Sequence, residues 1–362
     1  MAHELPRPCL RLLSGQCGVI ASWQAGAAGI DARQIENLVR YGRWQRLQYG
    51  VYAAFTGRPP RPAALWAAVL RAGPCTILSH ETAAELDGLI DKPNKVIHVT
   101  VRSAQHREPV PGMVIHRSSQ SIAFKQQRPF PPRTATEETV LDLADAAASF
   151  DTVVSLVARA CQGGLTTPFL LADSLQLRAR ARWRGELRQA LLDVAEGVHS
   201  PLEHRYLHGV ERAHGLPRPD RQAEADRHPG RIFRDIHYRK YRVAVELDGT
   251  ASHPDEQRWQ DKRRDNAAAA DGIFTLRYGW ADVTERPCET AREIATVLAR
   301  GGWPGTLRRC GPKCSHSAPC WGRHRPPASR ASATRAPDRG RADRRRRASD
   351  RPGSPRKENP AG

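Results

Sequence analysis

Three acidic residues lie close together in a segment predicted to form two neighbouring β-strands: Asp235 in the first strand, and Glu246 and Asp248 in the second. Side chains alternate between the two faces of a strand, so Glu246 and Asp248 share one face, while Val245 and Leu247 share the other. A short connection between the strands would bring Asp235 alongside the acidic face. Converging carboxylates suit a hard cation such as Mg²⁺, which activates water and offsets charge at a phosphate. The sequence therefore predicts Asp235, Glu246 and Asp248 as metal ligands.

A simpler interpretation of these carboxylates is structural. Acidic residues at strand ends also pair with nearby basic residues, here Arg234, Arg239, Lys240 and Arg242. Exposed pairs of this kind contribute only about 0–1 kcal/mol to stability. Two carboxylates at i and i+2 within a β-branched run repel each other unless a cation lies between them, which favours the metal interpretation.

The elements around the acidic residues can be predicted from local patterns. Ser200, Pro201 and Glu203 form a capping-box pattern at the start of a helix that runs to about Gly215. The pattern continues with strands at 218–226 and 231–238, the acidic strand, a charged helix at 255–270, a strand at 273–278 and a helix at 287–300. Glu203 thus has a capping role as well as a potential role beside a metal.

This order of elements resembles the restriction-endonuclease-like fold, and specifically the small domains similar to very-short-patch-repair endonucleases. The resemblance covers about residues 200–302 and rests on the following string: Ser200-Pro-Leu-Glu … Asp235 … Val245-Glu-Leu-Asp-Gly249 … His253 … Asp261-x-x-Arg264 … Gly272 … Leu276-Arg-Tyr278. It implies that Asp235 is the first acidic metal ligand and Glu246 the second.

The resemblance also implies further catalytic candidates, and this sequence departs from the pattern of such enzymes at one position. Many such enzymes place a Lys two residues after the second carboxylate, to orient the attacking water and stabilise charge, whereas this chain has Asp248. Asp248 would then bind metal, and His253, which matches a histidine of the repair-type domains, would act as general acid or base. Arg264 would hold the scissile phosphate, and Glu203 would orient the metal or a water.

Residues from about 10 to 55 have the pattern of a small helical DNA-binding unit. A short helix at 22–27 and a turn at Gly29 precede Asp31, which is a favoured N-cap for a helix from Ala32 to Tyr41. One face of that helix is apolar, and the other carries side chains that reach phosphates and base edges: Arg33, Gln34, Asn37 and Arg40. Two short strands follow and would form a wing. An ordinary surface helix with solvated charges is the alternative.

The same segment resembles the N-terminal winged helix-turn-helix of AbiEi-type antitoxins, which bind DNA at their own promoters in type IV toxin–antitoxin systems. The resemblance rests on Gly18-Val-Ile-Ala-Ser … Gly29-Ile … Gly42-Arg-Trp-Gln-Arg-Leu-Gln-Tyr-Gly-Val-Tyr-Ala53. It implies duplex DNA as a partner, with Arg43 added to the candidates on the helix, and it raises the possibility of a cognate toxin. The region from 62 to 184, which is predicted to mix helices and strands, resembles the part that follows in AbiEi-like proteins.

The middle region offers no catalytic constellation from sequence alone. His80, His98 and His116 lie far apart in the sequence, and structural roles are the commoner explanation for such histidines. The Arg-rich run from Arg178 to Arg184 would contact phosphates or form a solvated helix face.

The composition of the whole chain is consistent with nucleic-acid binding. The net charge of +19 over 362 residues favours polyanionic partners. The sequence lacks a long apolar run, so a cytoplasmic protein with no membrane partner is expected. The eight cysteines are expected to be reduced. Cys310, Cys314 and Cys320 with His316 and His324 lack paired CxxC knuckles, which argues against a zinc site there.

The sequence thus predicts an α/β (α+β overall) protein with a winged helix-turn-helix at 10–58, a mixed α/β region at 62–184, an endonuclease-like domain at 198–302 and a disordered basic tail at 303–362. The preferred function is DNA binding with Mg²⁺-dependent hydrolysis of DNA phosphodiesters. Two alternatives stay open: a transcriptional regulator or type IV antitoxin-like protein whose endonuclease-like fold is inactive, and an RNA-processing protein.

Overall fold

The computed structural model describes residues 4–92, 94–103, 110–118, 126–129, 131–224, 233–248 and 272–315. Within these ranges the chain is a mixed α/β protein with twelve α-helices and three small β-sheets. No helix in these ranges has both the length and the apolar character needed to cross a membrane.

The first sheet and three helices are formed by the N-terminal residues. The elements are α1 (Arg7–Gly15), β1 (Val19–Ala21), α2 (Ser22–Ala27), α3 (Ala32–Arg40), β2 (Gln45–Gln48) and β3 (Val51–Ala53). The strands are antiparallel in the order β1-β3-β2. The predicted cap of α3 is confirmed, because Asp31 Oδ1 accepts a hydrogen bond from the Gln34 N–H at 2.7 Å. Ile35 and Trp44 are buried in the apolar core beneath α3.

The second sheet follows α4 (Arg61–Ala72). It is formed by β4 (Ile77–Leu78), β5 (Ile97–Arg102), β6 (Met113–Ser118), β7 (Gln126–Pro129) and β8 (Pro132–Thr134) in the order β6-β5-β4-β8-β7, with α5 (His80–Leu86) between β4 and β5. Helix α4 is apolar on nearly all sides, and it packs against both the first sheet and this one. One hydrophobic cluster therefore joins the N-terminal unit to the middle region.

A layer of four helices comes next: α6 (Thr136–Ala146), α7 (Phe150–Gln162), α8 (Pro168–Leu177) and α9 (Arg184–Ala195). Their contact faces form a separate core that includes Leu141, Val157, Leu171 and Leu187. The predicted helices near 136–147 and 152–161 are confirmed. We did not identify α8 and α9 as separate helices from the sequence.

The third sheet carries the predicted acidic residues. Helix α10 (Pro201–Arg205) continues as a π-helical turn at Tyr206–Arg212, followed by β9 (Asp220–Glu224), β10 (Phe233–Tyr238), a 3₁₀ turn at Arg239–Tyr241, β11 (Val243–Asp248), β12 (Phe274–Gly279), α11 (Trp280–Thr284) and α12 (Pro287–Arg300). The order is β12-β11-β10-β9, antiparallel except for the parallel pair β11–β12. Parallel neighbours require a crossover connection, and the helix predicted at 255–270 in that connection lies outside the described residues.

The residues directly after α12 differ from the sequence-based prediction. Trp303 and Leu307 are half-buried against the core of the third sheet, so the expectation that no core contact forms from residue 303 onward is wrong for residues 303–315. Partial burial of these two large apolar side chains favours contact of this segment with the core. Residues 316–362 lie outside the described ranges.

Part of the Arg-rich run after α8 contacts other helices of the fold, although the run was predicted to contact phosphates or to form a solvated helix face. Arg178 is buried and donates to Glu138 at 2.9 Å, Asp142 at 2.6 Å and Asp145 at 3.2 Å, all on α6. Arg182 Nη1 donates to the Ala147 carbonyl at 2.8 Å. These arginines hold the α8–α9 connection against α6, so their charges serve the fold.

We predict that Arg178→Ala lowers the free energy of unfolding by about 3–5 kcal/mol, because it leaves buried carboxylates without their cation. Arg180→Ala is the matched control, since Arg180 is exposed two residues away and its loss should change stability by no more than about 0.5 kcal/mol. Chemical denaturation followed by circular dichroism measures both. Equal effects of the two substitutions would contradict the structural role of Arg178.

Candidate functional site

Glu203 lies at the start of α10 with its carboxylate buried. Ser200 caps the helix as predicted, since its Oγ accepts from the Glu203 N–H at 3.2 Å. The carboxylate in turn accepts from Ser200 Oγ at 2.9 Å and from the His199 backbone N–H at 3.0 Å. The side chain therefore fulfils the capping role and at the same time faces the third sheet.

Asp235 and Glu246 lie on the neighbouring strands β10 and β11. The register pairs Ile236 with Val245, and its continuation by one residue would set Asp235 opposite Glu246. Directly opposite residues of an antiparallel pair place their Cβ atoms about 4.5–5.5 Å apart on the same face. Asp235 Oδ2 also accepts from the Leu247 N–H at 2.9 Å, so it reaches across to β11.

Electrostatic interactions connect Asp235 with Glu203 and with His199. Burial raises the pKa of Glu203, and the charge of Asp235 raises it further. Burial lowers the pKa of His199, and Asp235 opposes that shift. The structure therefore brings His199, Glu203 and Asp235 together. No residue pattern around His199 predicts a chemical role for it, apart from its position next to the helix cap.

Gln222 on β9 completes this group in a strained conformation. Its φ is +48°, which is uncommon for a residue with a side chain. Its Nε2 donates to Glu203 Oε2 at 3.3 Å. Strained residues of this kind concentrate at functional sites, because the surrounding structure must hold them in place.

Asp248 lies at the end of β11, near Arg277 of the parallel neighbour β12. The two side chains approach to 3.7 Å and are partly exposed. The parallel register also places Arg277 next to Glu246, on the same face. Arg277 is therefore a cation next to both Glu246 and Asp248.

The remaining predicted catalytic residues are not placed. His253 and Arg264 lie outside the described residues. Within the described part of the chain, two groups of at least three potential metal ligands have ligand atoms within 4.8 Å of one another, and neither contains Asp235, Glu246 or Asp248. Mg²⁺, however, needs only one or two carboxylates and takes its other ligands from water and phosphate. Asp235 and Glu246 fit that donor chemistry.

The five predicted DNA-binding residues are all exposed, on α3 or directly after it: Arg33, Gln34, Asn37, Arg40 and Arg43. The Gln34 side-chain carbonyl accepts from the Asp31 N–H at 2.9 Å, and this contact completes a capping box. Gln34 therefore has a structural role in addition to the predicted one. The exposed face of α3 otherwise matches the prediction from helical spacing.

His80, His98 and His116 meet in the middle region, contrary to the expectation that their separation in sequence spoke against a common site. The His80 and His116 rings stack with centroids 3.5 Å apart, and His98 Nδ1 lies 3.0 Å from His116 Nε2. Glu81 lies 3.2 Å from His98. Burial and the neighbouring His98 lower the pKa of His116, so this group is most stable with His116 neutral.

One of the two groups of potential metal ligands consists of Asp193, His204 and His208. Asp193 on α9 is fully buried, and its Oδ2 lies 2.6 Å from His208 Nε2, while its Oδ1 accepts from Arg212 at 3.0 Å. The Arg212 guanidinium already supplies the positive charge. We therefore interpret this group as an ionic contact that joins α9 to the helix carrying Glu203.

The second group joins four residues that are distant in the sequence: His214, Cys288, Cys310 and Cys314. Cys310 and Cys314 belong to the segment in which spacing had argued against zinc. Their partners in this group are His214 and Cys288. Cys320, His316 and His324 lie outside the described residues. No local spacing signals this group, because His214 ends one helix and Cys288 begins another.

Comparison with known protein families finds no match, and a search of curated proteins finds none either.

The electrostatics of Glu203 predict a pH dependence of stability. Its folded pKa is raised above 4.5, so the folded state holds the proton more tightly than the unfolded state, and stability falls as pH rises from about 4.5 through the folded pKa. Glu203→Gln should remove this contribution. We would measure the free energy of unfolding between about pH 4 and 7, with no divalent cation added. If both proteins showed the same slope, the inferred environment of Glu203 would be incorrect.

Proposed function

We propose that this protein binds duplex DNA through α3 and hydrolyses phosphodiester bonds, with Mg²⁺ as cofactor, at the acidic face of the third sheet. The proposal is supported by the electrostatic interaction of Asp235 with both Glu203 and His199, and by the strand register, whose continuation would set Glu246 opposite Asp235.

The topology supports an endonuclease-like fold for this region. A helix precedes three antiparallel strands, and a strand parallel to the third follows after a long connection, which is the order that the sequence predicted. Asp235 lies on the second strand and Glu246 on the third. The first sheet with α1, α2 and α3 likewise supports a winged helix-turn-helix, with β2 and β3 as the wing.

Each residue of the site would have its own role in phosphodiester hydrolysis. Asp235 and Glu246 would hold Mg²⁺, which supplies a polarised water and offsets the charge on the phosphate. His199 has an exposed imidazole whose lowered pKa keeps it neutral near pH 7, so it is suited to accept a proton from the attacking water. Glu203 would orient that water, and Arg277 would stabilise negative charge in place of the usual Lys.

One observation favours the alternative of an inactive fold that only binds DNA or a protein partner such as a toxin. Asp248 is paired with Arg277, so the position of the usual Lys carries an acid whose charge is already offset. An inactive fold would keep the DNA-binding face of α3 and lose hydrolysis. The cleavage experiment below therefore separates the two proposals, and the binding experiment tests the DNA-binding face that both share.

Purified protein with supercoiled plasmid and Mg²⁺ or Mn²⁺ should produce nicked or linear DNA. Asp235→Asn and Glu246→Gln should each lower the rate at least about a hundredfold, since loss of supporting residues around a metal alone costs about 10–100-fold. Glu289→Gln, a change at an exposed carboxylate on α12, is the matched control. If the wild type cleaves DNA with neither metal, the inactive fold is favoured. Equal cleavage by all variants would indicate a contaminating nuclease.

For DNA binding, we predict that Arg33→Ala combined with Arg40→Ala weakens duplex binding by about tenfold or more and reduces its salt dependence, because phosphate contacts release counterions. Arg188→Ala with Arg300→Ala removes the same charge from exposed positions on α9 and α12 and serves as the control. Gel shifts at several salt concentrations measure both. An equal loss in the two double variants would mean that net charge, rather than α3, accounts for binding.

A further inference from the structure

We propose that His214, Cys288, Cys310 and Cys314 bind one Zn²⁺ ion that fixes the segment after α12 to the core of the third sheet. One ligand atom from each residue lies within 4.8 Å of every other. Three thiols and one imidazole are a common ligand set of structural zinc sites. The proposal is independent of the acidic site, whose oxygen ligands suit a different class of metal.

The distances between the ligand atoms match a tetrahedral site. Cys288 Sγ lies 3.6 Å from Cys310 Sγ and 3.7 Å from Cys314 Sγ, and Cys314 Sγ lies 3.9 Å from His214 Nε2. Zinc–sulfur bonds of about 2.3 Å place two sulfurs of a tetrahedron about 3.8 Å apart. A disulfide would require about 2.05 Å, so no disulfide joins these sulfurs.

The imidazole of His214 is oriented as a metal ligand. His214 is fully buried, and its Nδ1 lies 3.1 Å from the Val210 carbonyl oxygen. A carbonyl only accepts hydrogen bonds, so Nδ1 carries the proton, and the lone pair of Nε2 faces Cys314. Histidines that bind metal commonly make this second contact, which fixes the ring and its tautomer.

Backbone contacts bring Cys310 and Cys314 close to His214 and Cys288. A turn in which the Cys314 N–H donates to the Gly311 carbonyl at 3.1 Å directs both cysteines of the segment to one side. The Arg308 N–H donates to the His214 carbonyl at 2.8 Å. Gly215, with φ +69°, adopts a left-handed conformation that favours glycine and turns the chain directly after His214.

The site is structural rather than catalytic. Four protein ligands fill a tetrahedral shell and leave no position for water or substrate. The ion would join the end of the Glu203 helix, the start of α12 and the segment around Cys310. A small region with few apolar contacts commonly uses a metal ion to hold together residues that are distant in sequence.

Metal analysis of the full-length protein, purified under reducing conditions without chelator, tests the proposal. We expect one zinc ion per chain in the wild type and in Cys75→Ser, which changes an exposed cysteine far from the cluster. Cys310→Ser and His214→Asn should each lose that ion. Zinc-free wild type that fails to take up added zinc while its thiols titrate as reduced would overturn the proposal, as would a stoichiometry unaffected by Cys310→Ser.

Cobalt replacement gives a second readout if the variants do not fold. Wild-type protein reconstituted with Co²⁺ should show the thiolate-to-cobalt charge-transfer band and intense visible bands of tetrahedral coordination by three sulfurs. A weak octahedral spectrum without charge transfer would show that the cysteines do not bind the metal, and would contradict the assignment.

Discussion

The pairing of β10 with β11 determines which side chains of the third sheet share a face. Ile236 opposite Val245 buries both residues in the core, and the same register leaves Asp235 and Glu246 together on the opposite face. A slip by one residue would bring carboxylates into the core and expose the valine to water. Apolar burial on one face therefore fixes the acidic pair on the other, and Glu203 and His199 of the preceding helix are positioned against that pair.

Two buried carboxylates of this protein have opposite electrostatic environments. His208 and Arg212 compensate Asp193, and its pKa is lowered despite burial. Glu203 accepts hydrogen bonds from a hydroxyl, a backbone N–H and an amide, all neutral, and its pKa is raised by burial and by Asp235. The charge of the Asp193 carboxylate is thus balanced by cations that belong to the fold. Ionisation of the buried Glu203 carboxylate instead costs free energy, and binding of a divalent cation beside it would offset that cost.

Local patterns predicted most of the elements that position the site. The caps of α3 and α10 and the strand β11 depend on residues close in sequence, and the structure confirms them. Burial along β11 does not alternate as predicted, because Val243, Ala244 and Val245 are all buried and Glu246, Leu247 and Asp248 are all partly buried. Contacts between distant segments were not predictable in this way. The approach of His199 to Asp235, the stack of His80 on His116 and the meeting of His214 with Cys288 follow from tertiary packing. The helix with Arg264 and the loop with His253 stay predictions.

Anomalous diffraction from crystals soaked in Mn²⁺ would locate a metal at the acidic site independently of turnover. We predict a peak within about 2.5 Å of carboxylate oxygens of both Asp235 and Glu246, and loss of that peak in Asp235→Asn. A fully occupied Mn²⁺ elsewhere, with Glu246 and Asp248 both paired to Arg277, would contradict the proposed metal site.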